Sequence, residues 1–444
     1  MKKIDWNKYL NLQYNCDCGR MHQCDIQNIV VEQGAVEKIP QILSEYGHNH
    51  VCLVCDTNTL EAGGKRVCDS LDKNKIDYNI VIFKDQELVP DEKAVAYLLT
   101  EISDKAEFII GIGSGTINDL CKFVSFKMKL DYMIVATAPS MDGYASSGAP
   151  LIINHLKTTY NVKPPKSIIA DLDIISHAPL NMIAAGIGDM IGKYVCLADW
   201  EIAHLVTGEY ICKEVMELVQ RSVEDVVSKA GNAMQRDPAA IEAITNGLIL
   251  TGIAMSYVGN SRPASGSEHH ISHYWEMMAL LEGRQDFLHG TKVGIGTVIS
   301  LYLYKNLGKK QFLSNRPVKF QVEDWKEEIR MVYGPAAEGV IELEAKTGKN
   351  SDKNVAARRE ALQKCEKEIM KIIENLPLPG QIIKILQGIN APCFPRQIGV
   401  SEEMLKRSIC YAKELRNRFG LLQLLYDLGI QQEMSEQVIQ QLYT

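Results

Sequence analysis

Glu107-Phe-Ile-Ile-Gly-Ile-Gly-Ser-Gly-Thr-Ile-Asn-Asp-Leu120 runs from an apolar strand pattern through three glycines, Gly111, Gly113 and Gly115, directly into a helical pattern. Glycines let the backbone turn sharply and approach a pyrophosphate, and the N–H groups at the start of a helix attract its negative charge. The spacing is not the usual G-x-G-x-x-G, so a tight loop without a ligand is the alternative. The stretch predicts a strand, a turn and a helix, with a dinucleotide as the candidate ligand of the turn.

Around this stretch, from about residue 27 to 178, short apolar runs rich in β-branched residues alternate with helical patterns. The predicted strands are Asn28 to Val31, His50 to Asp56, Tyr78 to Phe83, Glu107 to Gly111, Tyr132 to Ala136 and Ser167 to Asp171. The predicted helices between them are Leu60 to Leu71, Lys93 to Ser103 and Ile117 to Phe126. Strand alternating with helix predicts a doubly wound, mostly parallel, Rossmann-like sheet, which binds ligands at the carboxyl ends of its strands.

From Pro179 onward the strand signals nearly vanish. The predicted helices are Ala184 to Leu205, Ile211 to Ala230, Ala239 to Met255, Glu268 to Leu281, Lys292 to Tyr304, and parts of Trp325 to Asn375 and Glu402 to Leu442. Many are apolar on all sides, as in buried helices. We therefore expect an α/β dinucleotide-binding domain at residues 1–178 and an all-helical, metal-binding catalytic domain at residues 179–444.

A second loop, Thr137-Ala-Pro-Ser-Met-Asp-Gly-Tyr-Ala-Ser146, follows the predicted strand at Tyr132 to Ala136. It should emerge at the same edge of the sheet as the glycine-rich turn. Its hydroxyls and Asp142 are suited to contact a cofactor and a polyol hydroxyl, although Pro-Ser-Met-Asp-Gly is equally consistent with an ordinary turn. Asp56, at the end of an earlier strand, is a weaker candidate for a ribose contact, since Asp-Thr-Asn-Thr also makes a helix cap.

Three residues have contexts that suit metal ligands. Asp189 lies in the apolar run Ala-Ala-Gly-Ile-Gly-Asp-Met, where an unpaired carboxylate is costly to bury. His269 and His289 belong to a cluster of four of the ten histidines within 21 residues, which also contains His270 and His273. One carboxylate and two imidazoles suit zinc, iron(II) or nickel(II), and three protein ligands leave open positions for a substrate. His273 lies four residues after His269, on the same helix face, whereas His270 points elsewhere.

Composition excludes several classes of protein. The formal net charge of -7 argues against nucleic-acid binding, which needs a basic face. No signal-peptide pattern and no run of about 20 uninterrupted apolar residues is visible, so we expect a cytoplasmic protein without a membrane span.

The twelve cysteines follow no regular framework and are expected to be reduced. Cys52 and Cys55 read as buried thiols of one strand rather than a redox pair. The N-terminal Cys16, Cys18, His22 and Cys24 offer four zinc ligands at unusually tight spacing; we expect ordinary reduced surface residues there.

Several long motifs resemble the sn-glycerol-1-phosphate dehydrogenase family, and more specifically its bacterial, arabinose-operon-type branch, within the iron-containing alcohol dehydrogenase and dehydroquinate synthase superfamily. The motifs are Gly-Ser-Gly-Thr-Ile-Asn-Asp, Thr-Ala-Pro-Ser-Met-Asp-Gly-Tyr-Ala-Ser, Ala-Gly-Ile-Gly-Asp-Met, Arg-Pro-Ala-Ser-Gly-Ser-Glu-His-His-Ile-Ser-His-Tyr-Trp-Glu and Leu-His-Gly-Thr-Lys-Val-Gly. The resemblance covers nearly the whole chain and implies an active site in the cleft between the two domains.

The resemblance also implies roles for particular residues. It implies one divalent metal ion, zinc, nickel or iron, on Asp189, His269 and His289, with Asp142, Asp189 and His273 meeting the substrate. It implies NAD(H) or NADP(H) as the cofactor, with contacts from Gly115, Thr116, Ile117, Asn118, Asp119, Thr137, Ala138, Pro139, Ser140 and Ser146. The implied reaction is the reversible reduction of dihydroxyacetone phosphate to sn-glycerol 1-phosphate for glycerophospholipid-type synthesis, by a homodimer.

Three other functions are consistent with these motifs. Glycerol dehydrogenase shares the cofactor and the metal but needs no phosphate receptor, a dehydroquinate-synthase-like enzyme forms a carbocycle, and a non-catalytic sensor needs no open metal position.

A phosphate ester needs cationic donors, and Lys157, Arg262 and Lys292 are candidates because each is close in sequence to a proposed site loop. The sequence does not select among these three cationic residues.

Overall fold

The computed structural model describes residues 4–85, 87–153, 156–284, 286–308, 312 and 319–443. The strands of this part are β1 Leu12–Asn15, β2 Met21–Cys24, β3 Asn28–Glu32, β4 His50–Asp56, β5 Asp77–Phe83, β6 Phe108–Gly113, β7 Asp131–Ala136, β8 Gly148–Ile153, β9 Leu156–Asn161 and β10 Ser167–Asp171. The helices up to residue 207 are α1 Ile39–Tyr46, α2 Thr57–Thr59, α3 Lys65–Lys73, α4 Glu92–Glu101, α5 Gly115–Met128, α6 Leu172–Ile175, α7 Leu180–Ile191 and α8 Lys193–Thr207.

The later helices are α9 Lys213–Lys229, α10 Pro238–Val258, α11 Ser267–Leu281, α12 His289–Leu307, α13 Val322–Tyr333, α14 Ala337–Thr347, α15 Asp352–Lys364, α16 Glu366–Asn375, α17 Pro379–Gly388, α18 Glu402–Tyr411, α19 Leu421–Leu428 and α20 Gln431–Tyr443. Most of the predicted helices are found with small shifts at their ends. The predicted helix from Ala184 to Leu205 is divided at Gly192 into α7 and α8. Helix α17 was not predicted.

The six predicted strands form one parallel sheet in the order β3-β10-β7-β6-β4-β5. Strands β6 and β10 are buried along their whole length, because their continuous apolar runs are covered on both faces, as parallel sheets require. The structure confirms the doubly wound α/β sheet and the helical C-terminal region.

Two antiparallel hairpins, β1–β2 and β8–β9, were missing from the prediction. In β2 the burial alternates, with His22 and Cys24 inside and Met21 and Gln23 outside, because successive side chains of a strand point to opposite faces. The expectation of surface residues at this cluster was therefore wrong for His22 and Cys24, which are 0% and 2% exposed.

The other cysteine prediction is confirmed. Cys52 and Cys55 are fully buried in β4, and burial raises their pKa values to about 11 and about 12. Both thiols therefore stay protonated at neutral pH and are poor candidates for redox chemistry.

The described residues group into two compact units, residues 1–190 with 217–261, and residues 191–216 with 262–444. In the first unit, α10 packs on β2, β3 and α6, so this unit extends past the predicted boundary at residue 178. In the second unit, α11 packs on α12, and the short 3-10 helix Ala412–Leu415 packs on α11. The division of the chain into two folding domains stays a prediction.

Two helical stretches, Leu180–Thr207 and Pro238–Val258, are long and apolar enough to cross a membrane by length and composition. Their apolar windows are 78% and 83% buried inside the protein. Core helices that are covered on all sides have this pattern, so length and apolarity alone are weak evidence for a membrane span.

Candidate active site

The glycine-rich turn joins β6 to α5, which begins at Gly115. Two of its glycines are required by packing: a Cβ at Gly113 would lie 2.6 Å from Ile117, and one at Gly111 would lie 2.9 Å from Cys121. At Gly115 a Cβ would meet only Met141, at 3.6 Å. Tight strand-to-helix packing therefore explains Gly111 and Gly113, while Gly115 leaves open the approach to the first N–H groups of α5. Helix α5 is 14 residues long, and the N–H groups at its start can bind an anion.

The predicted loop Thr137–Ser146 is fixed to this turn by hydrogen bonds. The Thr137 N–H donates to the Gly113 carbonyl at 3.1 Å, and the Tyr144 hydroxyl donates to the Ala138 carbonyl at 2.7 Å. The Asn118 side chain donates to the Gly143 carbonyl at 3.3 Å. These contacts place the start of α5 and the loop side by side, as the shared sheet edge predicted.

Lys122, which the sequence analysis did not single out, holds the same loop from inside. Its ammonium group donates to the carbonyls of Gly143 and Gly148, at 2.8 and 2.9 Å, and to the Ser146 hydroxyl at 3.3 Å. Asp119 lies 3.6 Å from it, and burial raises the pKa of Asp119 to about 6, against the opposing effects of Lys122 and Lys157. The buried cation is thus shared among several oxygens of the loop.

Two further glycines allow the loop to lie against helices of the same unit. A Cβ at Gly186 of α7 would lie 1.8 Å from the Pro139 carbonyl oxygen, and one at Gly252 of α10 would lie 2.8 Å from Ala145. Real Cβ atoms do not approach a backbone oxygen so closely, so any larger residue would displace the loop. The sequence showed Gly186 only as part of an apolar run.

Asp189, also on α7, is fully buried. One of its carboxylate oxygens accepts the backbone N–H of Asp142 at 3.1 Å. Both residues were predicted to serve the substrate or the metal, and within the first unit the structure brings them into contact. The remaining predicted cofactor residues lie at the start of α5 or in the loop beside it; their contacts with a nucleotide stay predictions.

In the second unit, three histidines from α11 and α12 come together. The ring centroids of His269 and His289 are 5.2 Å apart, and His273 lies 5.9 Å from His269 and 5.4 Å from His289. His269 and His273 share one face of α11 because they are four residues apart, as predicted. His289 is the first residue of α12.

Each of these rings is oriented by a carboxylate. The Nδ1 of His269 lies 2.6 Å from Glu268, that of His289 lies 2.7 Å from Glu276, and that of His273 lies 3.1 Å from the other oxygen of Glu276. A carboxylate at these distances accepts the Nδ1 proton, which leaves the Nε2 lone pair for a metal or a substrate. This arrangement is typical of histidines that bind metals, so the donor set fits a divalent cation.

Glu276 also belongs to a second set of possible ligands, since one atom each of His273, Glu276 and His289 lie within 4.8 Å of one another. Its two oxygens are occupied by the two rings, and Lys292 forms an ion pair with it at 3.4 Å. We therefore interpret Glu276 as the group that orients both histidines. The sequence contained Glu268 and Glu276, but their partners depend on tertiary packing.

Two of the three candidates for a phosphate receptor are already neutralised. Arg262 makes a bidentate ion pair with Glu209, at 2.7 and 2.5 Å, and donates to the Phe419 carbonyl. Lys292 pairs with Asp286 and Glu276. The third, Lys157, lies in β9 of the first unit and acts electrostatically on Asp119.

A cationic segment that the sequence analysis missed lies beside α11. Arg418 donates to the carbonyl of Ser265, which lies two residues before the start of α11, at 3.4 Å. Arg416 precedes Arg418 by two residues; its side chain is exposed and its backbone is extended. Burial and the charges of Arg262 and Arg416 lower the pKa of Arg418 to about 10, so it stays protonated. Within the described residues, no carboxylate pairs with Arg416.

Known proteins of the same architecture define the class. Residues 30–179 match the family model of the iron-containing alcohol dehydrogenases. The structure of a probable glycerol dehydrogenase from Sinorhizobium meliloti 1021 is similar with a TM-score of 0.60 and 14% identity, covering 93% of this chain and 98% of that one. Glycerol dehydrogenase from Schizosaccharomyces pombe is similar with a TM-score of 0.60 and 16% identity, covering 94% and 91%. The fold is that of the iron-containing alcohol dehydrogenases.

Sequence relatives narrow the class to one family. Glycerol-1-phosphate dehydrogenase (NAD(P)+) from Geobacillus stearothermophilus is 33% identical over 424 residues, covering 94% of this chain and 97% of the relative. The enzymes of that name from Halalkalibacterium halodurans and Bacillus velezensis are 34% and 36% identical, covering 92% and 89% of this chain and 94% and 89% of theirs. The chain belongs to the glycerol-1-phosphate dehydrogenase family.

Proposed function

We propose that this protein catalyses the reversible, metal-dependent reduction of dihydroxyacetone phosphate to sn-glycerol 1-phosphate by NADH or NADPH, for glycerophospholipid-type synthesis. The observation that carries the proposal is the pair of metal-competent histidines, His269 and His289, each with its Nδ1 held by a buried carboxylate. Family membership supplies the substrate class.

Asp189, His269 and His289 are the proposed ligands of one zinc, nickel or iron(II) ion. When bound, such a cation supplies Lewis-acid polarisation of the substrate carbonyl. His273 is proposed to orient the substrate and to exchange a proton through its Nε2, since its Nδ1 is held by Glu276. Asp142 is the proposed partner of a substrate hydroxyl.

The nicotinamide cofactor is proposed to bind where α5 begins and the loop Thr137–Ser146 passes it. The open approach to the N–H groups next to Gly115 supports a pyrophosphate there. The proposed contacts are Gly115, Thr116, Ile117, Asn118, Asp119, Thr137, Ala138, Pro139, Ser140 and Ser146. Of these, Asn118 and Ser146 also hold the loop in shape, so their substitution would act partly through the loop.

Arg416 and Arg418 are proposed to receive the phosphate of the substrate. Both lie in the same unit as His273, and their charges add to the effect of burial in holding the pKa of His270, on the same helix as His273, well below its usual range. The carbonyl and the phosphorus of a three-carbon phosphate ester are only a few bonds apart, and arginine is the usual partner of a phosphate. Glu209 already pairs with Arg262, and no carboxylate of the described residues forms an ion pair with Arg416.

The first test is NADH oxidation with dihydroxyacetone phosphate and, in parallel, with unphosphorylated dihydroxyacetone, after chelation and after adding back zinc, nickel or iron. We expect metal-dependent turnover of the phosphate ester alone, and loss of activity together with the ion proposed on Asp189, His269 and His289 in His289→Ala. Preference for the unphosphorylated ketone would instead identify a glycerol dehydrogenase. Cofactor binding without turnover of either ketone would favour a sensor or a synthase, and full activity of metal-free His289→Ala would refute the metal assignment.

The phosphate receptor has its own test. In Arg416→Gln we expect KM for dihydroxyacetone phosphate to rise about 10-fold or more, the usual cost of losing a charge-assisted hydrogen bond, with the Kd for NADH unchanged. Arg330→Gln, which removes an exposed arginine paired with Glu338, is the matched control. An unchanged KM for dihydroxyacetone phosphate in Arg416→Gln would reject this receptor while leaving the reaction itself untouched.

We also propose a cytoplasmic homodimer, on the basis of the family resemblance and the broad apolar helices. Size-exclusion chromatography with light-scattering detection should give a mass close to twice the 49.7 kDa of one chain. A mass of one chain at micromolar concentration would reject the dimer.

A further inference from the structure

The turn between β1 and β2 gathers three side chains that bind metals. The hairpin register pairs Asn15 with Met21, so residues 16–20 form the turn. Gly19 adopts a positive φ of 83°, and its N–H donates to the Cys16 carbonyl at 2.9 Å. This turn brings Cys16 and Cys18 back over His22, the first inward-facing residue of β2.

Sulfur and nitrogen atoms of these residues lie within reach of one ion. The Sγ of Cys18 is 3.4 Å from the Nε2 of His22, and one ligand atom from each of Cys16, Cys18 and His22 lie within 4.8 Å of one another. The backbone N–H of Cys18 points to the Cys16 Sγ at 3.5 Å. An N–H directed at sulfur favours the thiolate, which is the form that binds a metal.

The His22 ring is held in the orientation that a ligand needs. Its Nδ1 lies 2.8 Å from the Tyr257 carbonyl oxygen, and the ring packs between Tyr14 and Tyr257 at centroid distances of 5.4 and 5.3 Å. A carbonyl can only accept, so Nδ1 carries the proton and the Nε2 lone pair faces the sulfur atoms. A backbone carbonyl on the far nitrogen is a frequent partner of metal-bound histidine.

The hairpin packs on α10 and would gain further stability from such a bond. A two-stranded sheet is marginal in water by itself, and β1 alternates between half-buried and exposed residues. A metal ion that joins the turn to the second strand would fix both, as structural zinc does in small elements.

We propose that Cys16, Cys18 and His22 bind a structural zinc ion, separate from the catalytic metal. Two thiolates and one imidazole suit zinc, and a fourth ligand from outside the hairpin completes the tetrahedron. Binding releases the two thiol protons to solvent. The zinc site is independent of the proposed reaction.

Cys24 is the matched control within the same strand. It lies on the same face as His22 and is 2% exposed, but its thiol is not among the ligand atoms that lie within 4.8 Å of one another. Serine at this position should therefore leave the zinc in place.

The experiment uses full-length protein with the catalytic ligand removed. His289→Ala, purified in the presence of zinc, should retain about one zinc ion per chain by mass spectrometry of the metal, and its cobalt(II) form should show a thiolate-to-cobalt charge-transfer band in the near ultraviolet. Adding Cys18→Ser or His22→Gln should remove the retained ion and lower the melting temperature, whereas Cys24→Ser should not remove it.

The outcomes separate the alternatives. If Cys18 and His22 form only a thiol–imidazole hydrogen bond, His289→Ala will retain no metal and the cobalt form will lack the thiolate band. That band can be measured without any change in the hairpin, so misfolding of the serine variants cannot hide the answer. Loss of the ion in Cys24→Ser to the same extent as in Cys18→Ser would also overturn the proposed ligand set.

Discussion

The cofactor region and the histidine region are proposed to serve one reaction, but one is formed mainly by backbone groups and the other by side chains. In the first unit, the cofactor region is made of backbone: a helix start, a loop held by carbonyl and N–H contacts, and glycines that allow close approach. In the second unit, the histidine region is made of side chains, each ring held by a carboxylate. A backbone site should fail when a methyl group is added, and a side-chain site should fail when a single acceptor is removed.

Gly186→Ala tests the backbone region and should have the largest effect. The new Cβ would lie 1.8 Å from the Pro139 carbonyl oxygen, so the loop must move away from α7. We expect a loss of about 3 kcal/mol in the free energy of unfolding, as for overpacked interiors, together with weaker NADH binding. Urea unfolding and NADH fluorescence titration measure the two quantities.

The matched control is Gly339→Ala, in the first turn of helix α14, where no atom lies within 4 Å of the added Cβ. There, alanine should be neutral or stabilise by about 0.5–1 kcal/mol, because it is the better helix former. Equal stability of both alanine variants would show that the loop does not depend on its contact with α7.

Glu276→Gln tests the side-chain region. An amide can accept the Nδ1 proton of one histidine, but its NH2 group faces the other ring. Loss of such an orienting partner typically lowers metal affinity 10- to 100-fold, and we expect kcat/KM to fall with it. Competition with a chromogenic zinc chelator measures the affinity.

Glu282→Gln provides the comparison for this change, because Glu282 follows α11 on its exposed side and pairs only with Arg284 among the salt bridges of the described residues. It should leave the metal affinity unchanged. Unchanged affinity in Glu276→Gln as well would mean that the carboxylate does not orient His289.

Asp119→Asn should have the smallest effect, confined to a range of pH. Burial raises the pKa of Asp119 to about 6, whereas an unfolded aspartate titrates near 3.9. Between about pH 4 and 6 the folded protein therefore holds a proton that the unfolded chain has released, so the free energy of unfolding falls as pH rises through this window. Asparagine should flatten that decline, measured by urea unfolding at several pH values. A decline of unchanged slope would contradict the raised pKa.

The central sheet could be predicted because each of its strands contains a short apolar run rich in β-branched residues, and His50 to Asp56 and Ser167 to Asp171 were placed with their correct ends. The hairpin β8–β9 was missed because β8 is half-exposed and contains Pro150, which weakens a strand signal. Local pattern therefore identified elements that are buried on both faces better than those at the surface.

For the candidate site, the sequence identified the histidines by their clustering but not the groups that hold them. His289 and Glu276 are thirteen positions apart and meet only because α11 packs on α12. Arg418 and Ser265 are separated by 153 positions, and no local pattern connects them. Such pairs are set by tertiary packing, which spacing along one chain does not encode.

Glu276 gives one carboxylate to two rings that are assigned different duties, retention of the metal by His289 and handling of the substrate by His273. A substitution at this position is therefore pleiotropic. Directed evolution toward another metal that passes through Glu276 would also alter how the substrate is positioned, and improving one trait would constrain the other. Engineers who wish to change the metal alone should begin at Glu268, whose carboxylate contacts His269 but neither of the other two rings in the described part of the chain.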